Sequence, residues 1–302
     1  MSAVRPADSA PSDSFVARAP ASTANLGPGF DSLGLAVAIY NELRVCAGSG
    51  RISVVGAGAD SLPMDATNLV VQSFDRVAPG IRESLDLECT NAIPLARGLV
   101  SSTAAAACGL VAGWHAAGTS WTPEDLASEL TAVDGHPDNA APCAYGGVTV
   151  AGPSELVVGL DTPAWLSLLL VVPDRQLTTE QARNALPDSY SRAVVAGQIG
   201  AAAVLTAALA RGDQEAFQRA IGLDAVHEQQ RSPLIPELNV VRACIADAPA
   251  YGATISGAGP TIAVWCSPTD RDALLGLLEA AFPGLVVAPS IASSGATITP
   301  GS

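Results

Sequence analysis

Pro94-Leu95-Ala96-Arg97-Gly98-Leu99-Val100-Ser101-Ser102-Thr103 leads without a break into alanine-rich sequence, and that junction decides the fold. Residues 101–117 read as a small-residue helix able to pack closely against a sheet. A turn of glycine and hydroxyl residues at a helix start offers free backbone N–H groups and the positive end of the helix dipole. Together these make an anion site suited to phosphate. Taken alone, Ser101 or Ser102 could instead be an ordinary N-cap. Two other glycine segments shift that balance. Residues 20–34 hold Asn25 and Asp31 in a glycine-rich loop, where backbone can approach a ligand and the Asp can meet a cation. Ser256-Gly257-Ala258-Gly259-Pro260-Thr261 reads as a tight turn between strands, for which a plain hairpin is the simpler explanation.

Composition bounds the rest. The 302-residue chain carries 29 Asp+Glu against 15 Lys+Arg, a formal net charge of −14, with 49% apolar and 15% charged residues. That describes a globular chain of one large domain or two smaller ones. Every cationic side chain is arginine, so mechanisms that require a phosphate-binding lysine or a Schiff base are excluded. So strong a negative balance argues against general nucleic-acid binding. The six cysteines are scattered with no CxxC, and only three histidines accompany them, so no zinc-type cluster is expected. Reduced thiols in the cytoplasm are the expectation. Residues 1–14 read as a disordered leader and not a signal peptide. The strongly apolar run at 164–173 is about half the roughly 20 residues a membrane span requires.

Strand candidates fall at 15–19, 43–45, 51–56 and 85–92, with helices at 68–77, 101–117 and 122–131 and a hairpin at 144–151 and 156–160. A second block opens with a buried-type strand at 166–172. It continues through helices at 179–185, 191–211, 213–221 and 235–246, strands at 252–256 and 261–266, and a helix at 270–281. Without regular strand–helix alternation, this is an α+β pattern in two halves, 15–160 and 161–290, with a frayed tail at 291–302.

The three glycine segments, in this order, resemble the superfamily of galactokinase, homoserine kinase, mevalonate kinase and phosphomevalonate kinase, and within it homoserine kinase. Residues 16–34 resemble that family's amino-terminal signature. Asp134-Gly135-His136-Pro137-Asp138-Asn139 resembles its Glu-Gly-His-Pro-Asp-Asn segment, and 179–187 and 231–236 complete the set. The resemblance covers about 15–286. It implies a nucleotide-type amino-terminal domain, a ferredoxin-like carboxy-terminal domain, a possible homodimer, and transfer of the ATP γ-phosphoryl to the homoserine hydroxyl with Mg²⁺. On that pattern the nucleotide side comprises Asn68, Arg97, Gly98, Leu99, Val100, Ser101, Ser102, Thr103, Gly257, Ala258 and Gly259, with Ser101 and Asp134 at the metal. The substrate side comprises Asn25, Asp31, His136, Asp138, Asn139, Thr179, Arg183 and Arg231. Arg183 and Arg231 are the carboxylate clamps, and Asp31 is the candidate for a catalytic role.

The chain departs from the family pattern at the phosphate and metal. Val100 stands where the second glycine of Gly-Leu-Gly belongs, Ala96 replaces another frequent glycine, Thr103 replaces alanine, and Asp134 replaces glutamate. A β-branched residue is a poor substitute where bare backbone or positive φ is needed. The substrate-side residues are all present. This asymmetry keeps two other readings open: a paralogue acting without ATP on an activated homoserine-like ester, and a non-catalytic amino-acid-binding protein.

Overall fold

The computed structural model describes residues 14–301, so the 1–14 leader lies outside the described residues except for Ser14. In the first half the chain forms β1 (Phe15–Ala24), β2 (Leu33–Ala47), β3 (Ile52–Gly56), α1 (Leu69–Val77), β4 (Leu85–Asn91) and α2 (Ser101–Ala116). It then adds α3 (Pro123–Asp134), α4 (Pro137–Tyr145), β5 (Val148–Ala151) and β6 (Val157–Leu160). Burial alternates over residues 15–19 of β1 and is continuous from Ala19 onward, so Phe15, Ala17, Ala19 and Ala21 enter the core. β1 and β2 pair antiparallel along ten positions, interrupted by one register shift at Pro20/Ala21. α2 has few large side chains, which lets its backbone lie close to α1. A Cβ on Gly109 would sit 2.3 Å from the Val70 carbonyl oxygen, so only glycine permits that approach.

The second half comprises β7 (Ser167–Val172), α5 (Thr179–Asn184), α6 (Arg192–Arg211), α7 (Gln214–Ala220), α8 (Glu228–Arg231) and α9 (Glu237–Cys244). β8 (Ala250–Ile255), β9 (Ile262–Cys266), α10 (Arg271–Ala281), β10 (Leu285–Val287) and β11 (Thr297–Pro300) follow. Its sheet runs β10-β7-β9-β8, all antiparallel, which is the fourth-first-third-second order of a ferredoxin-like unit. The architecture is α+β, with strands and helices mixed in both halves.

Three sequence expectations need correction. The tail is not frayed throughout: Ile291 bridges Val37, and β11 pairs with β1, so the first sheet runs β11-β1-β2-β4-β3, with β5 and β6 branching from β2. Its Ser/Thr/Gly composition hid a strand that is held by backbone hydrogen bonds and needs little apolar side chain. The hairpin expected at 144–151 and 156–160 forms as β5 and β6 but starts later, because residues 144–145 close a helix over 137–145. Pro137 occupies its first turn, where no N–H is needed, while Pro142 lies inside it and masks the helical pattern. The longest apolar run is α6 and not 164–173. α6 is 20 residues, long and apolar enough by composition to cross a membrane, and it docks through Ala201, Leu205, Ala208 and Leu209.

Candidate active site

A cavity of about 560 Å³ opens where the 96–102 loop, the 25–31 loop, the start of α4, α5, Arg231 and the β8–β9 turn converge. Of the residues expected from sequence to form the site, all but Leu99 and Thr103 line it. Leu99 is fully buried in the main hydrophobic core and Thr103 faces inward on α2.

The phosphate-loop expectation meets a specific geometry. α2 begins at Ser101, its N-cap is Val100, and no side chain closes the cap. The first-turn N–H groups are therefore left uncapped, and neither serine is the ordinary N-cap that the sequence allowed. Ala96, Gly98 and Val100 all have positive φ (53°, 79° and 56°), so the loop alternates through left-handed backbone. The β8–β9 turn buttresses it: Ser256 Oγ donates to the Gly98 carbonyl, and Thr261 N donates to that of Arg97. A Cβ on Gly98 would lie 2.5 Å from the Ser256 carbonyl oxygen. Gly257, Ala258 and Gly259 thus hold the loop from behind as well as lining the cavity.

Left-handed backbone costs an L-residue about 1–2 kcal/mol, and a β-branched side chain fits it least well. Glycine would remove that strain while losing about 0.5–1 kcal/mol to unfolded-state entropy. Val100→Gly is expected to melt slightly higher than the native chain and to lower the KM for ATP several-fold. Calorimetric melting and steady-state kinetics check this; a clear fall in Tm would show that Val100 packing outweighs its strain.

Ser101 and Asp134, the two residues expected at a metal, both line the cavity but do not bond each other. Ser101 is buried, donates to the Ile93 carbonyl and accepts from Asn41 Nδ2. Ser102 instead turns its hydroxyl to Asp134, 3.5 Å away, while Asn139 Nδ2 donates to the other Asp134 oxygen at 3.1 Å. Helical geometry is the reason: adjacent residues point about 100° apart, so only one of two serines can face the acid. Asn68 lines the cavity, yet its side chain caps α1 at Val70 N and donates to the Pro63 carbonyl. Asn41 was missed by sequence reading. It bonds Ser101 and Ile93 N and so ties the loop to β2; between Tyr40 and Glu42 it carried no distinguishing signal.

On the substrate side the two arginines prove unlike. Arg183 binds Asp31 through both carboxylate oxygens at 3.2–3.4 Å and contacts His136 Nδ1 at 3.0 Å. A guanidinium only donates, so His136 Nδ1 is the acceptor and its proton lies on Nε2. Asp31, the candidate for a catalytic role, thus lines the cavity with both carboxylate oxygens on Arg183. Arg231 is 2% exposed, and its bonds go only to neutral acceptors: Ala182 O, Gly257 O and His227 Nδ1. Burial pushes its pKa down, and no ion pair reaches it among the described residues. Asp138, 3% exposed, leaves its Oδ1 without a hydrogen-bond partner. Burial, reinforced by the Asp31 charge, raises its pKa to about 7. Asn25 bridges the Gly257 carbonyl and Asp31 N, and Thr179 opens α5 beside Thr178, which caps that helix.

A buried cation and a buried acid, neither in a direct ion pair among the described residues, share one cavity with an uncapped helix start. The two-sheet frame belongs to the small-molecule kinases, as matches to both of their domains show. Residues 67–147 match the GHMP kinases N terminal domain and 205–298 match the GHMP kinases C terminal domain. Homoserine kinase from Deinococcus radiodurans is 41% identical over 261 residues, covering 84% of this chain and 85% of that protein. The Desulfitobacterium hafniense homoserine kinase is 39% identical, covering 81% and 84%. The crystal structure of homoserine kinase from Cytophaga hutchinsonii superposes with a TM-score of 0.85 at 30% identity, covering 95% of this chain and 98% of that one. The chain belongs to the homoserine kinase family.

Proposed function

We propose that this protein transfers the γ-phosphoryl group of ATP to the side-chain hydroxyl of homoserine. One observation carries the amino-acid half of this reading: Arg231 and Asp138 are buried groups of opposite charge type in the same cavity, and neither makes a direct ion pair among the described residues. Isolated buried charges are costly, and a zwitterionic amino acid compensates both at once. The Arg231 fork takes the carboxylate and Asp138 takes the ammonium. Arg183, oriented by Asp31 and His136, adds positive potential near the carboxylate.

The uncapped start of α2 receives the triphosphate through backbone N–H groups and the helix dipole. Phosphoryl transfer demands chiefly positioning and charge neutralisation. The substrate hydroxyl oxygen forms a bond to Pγ as the bond from Pγ to the β,γ-bridging oxygen breaks, ADP leaves, and the hydroxyl proton is released. Asp134 and Ser102 supply hard oxygen donors beside the helix start, a set that fits Mg²⁺, which retains several waters and takes one or two carboxylates. They would hold the ion, whose charge offsets that of the phosphates. Asn25, Asn139 and Thr179 complete the polar shell, and the reaction belongs to the cytoplasm.

The ATP-independent and purely binding alternatives are not favoured by the family relationships. The test is ADP release and phosphorus NMR of the product with homoserine, ATP and Mg²⁺. Homoserine-dependent formation of a phosphate monoester is expected; homoserine binding without ADP release would overturn the reading.

A further inference from the structure

Behind the cavity lies a buried histidine that this chemistry does not use. His227 is fully buried and immediately precedes α8, four residues before Arg231. Its Nε2 lies 2.9 Å from the Gly27 carbonyl and its Nδ1 lies 3.3 Å from Arg231 Nη1. A carbonyl only accepts and a guanidinium only donates. The two contacts therefore require one tautomer, with the proton on Nε2 and a bare Nδ1.

The ring is fixed from its other sides as well. Phe30 stacks on it at 5.1 Å, and the Arg231 guanidinium lies over the same Phe30 ring at 5.3 Å. Asp224 accepts from the backbone N–H groups of His227 and Glu228, and Gln198 donates to both Asp224 and the Pro28 carbonyl. One imidazole thus joins the 25–31 loop, which carries Asn25 and Asp31, to the guanidinium assigned above to the substrate carboxylate.

We infer that His227 is a positioning residue: its neutral Nδ1 holds Arg231 in the plane that receives the substrate carboxylate, while Nε2–H registers that guanidinium against the 25–31 loop. Arg231 Nε and Nη1 are spent on Ala182 O, Gly257 O and His227 Nδ1, and Nη2 bonds to nothing among the described residues. Removing the Nδ1 acceptor leaves the guanidinium on Ala182 O and Gly257 O alone, which loosens its plane and costs substrate affinity, while its bond to the Gly257 carbonyl behind the phosphate loop remains. Burial keeps the imidazole pKa below its ordinary value, in keeping with a ring that stays neutral.

The inference rests on homoserine being the substrate, and the experiment separates the two. An asparagine side chain reaches the Nδ1 position and a glutamine the Nε2 position, so His227→Asn keeps the acceptor for Arg231 and His227→Gln keeps the donor for Gly27. With the full-length protein, His227→Gln is expected to raise the KM for homoserine about thirtyfold, with kcat and the KM for ATP within threefold of native. His227→Asn is expected to raise the homoserine KM less than fivefold. Equal losses in both variants, the reverse order, or a matching rise in the KM for ATP would overturn the positioning role. A native protein inactive on homoserine would instead overturn the function itself. Should either variant fail to fold, ¹⁵N NMR of histidine-labelled native protein decides. A bare Nδ1 whose resonance moves on adding homoserine supports the inference; a protonated Nδ1 or an unmoved resonance overturns it.

Discussion

Asp138→Asn is expected to make the free protein more stable while removing most of its activity. In the folded chain the Asp138 pKa stands at about 7 instead of 3.8, because burial and then the Asp31 charge disfavour the ionised form. The folded state therefore binds more protons than the unfolded state between those values. Stability contributed by this group is lost as pH rises from about 4 to about 7, and the full cost stands above pH 7. At 1.36 kcal/mol per unit that cost is on the order of 4 kcal/mol. Asparagine carries no charge to desolvate, so Asp138→Asn should melt several degrees higher at pH 8 and no higher at pH 4. Its kcat/KM for homoserine should fall at least a hundredfold, since truncating one partner of a buried charge pair costs about 2–5 kcal/mol. In the native protein the homoserine KM should climb as pH drops below about 7, and the variant should lose that dependence. Melting curves at the two pH values and a KM profile check both halves. A variant that melts lower at pH 8, or binds homoserine normally, would remove Asp138 from its assigned role.

Arg231→Leu is expected to lower kcat/KM for homoserine about a thousandfold, from the same order of lost charge-pair energy. It also strips a donor from three buried acceptors, so lower stability is expected as well. A substrate control separates the two effects. 3-Aminopropanol has the hydroxyl and ammonium groups of homoserine without the carboxylate. The native enzyme should turn it over slowly, and the variant should be no worse on it. Equal proportional losses on both substrates would mean that Arg231 is merely structural. Arg231→Lys should fall between, because an ammonium keeps the charge but lacks the planar fork.

Much of this architecture was legible in the residues. Mostly apolar residues at 15–19 marked β1, the alanine run marked α2, and the three glycine segments marked the cavity walls. Elements held by backbone pairing or broken by proline were less legible. β11 has little apolar content of its own, and Pro142 obscured α4. Asn41 and His227 escaped because their partners lie far away in sequence: Ser101 is 60 residues from Asn41, and Gly27 is 200 from His227. No local pattern encodes such pairs.

By itself the sequence determined the class of fold, the place of the glycine loop ahead of α2 and the set of polar residues that line the cavity. The first two follow from local chemistry, glycine and hydroxyl residues ahead of a small-residue helix and mixed strand and helix patterns, while the polar set follows from the resemblance of short ordered motifs to homoserine kinase. Only the tertiary structure decided which charge meets which. It paired Arg183 with Asp31 across 152 residues and left Arg231 with no direct ion pair among the described residues. It turned Ser102, not Ser101, toward Asp134, and it set Val100 in a left-handed conformation. The reason is that an ionised group's energy depends on its distance from other charges and on its distance from water. Folding alone sets both.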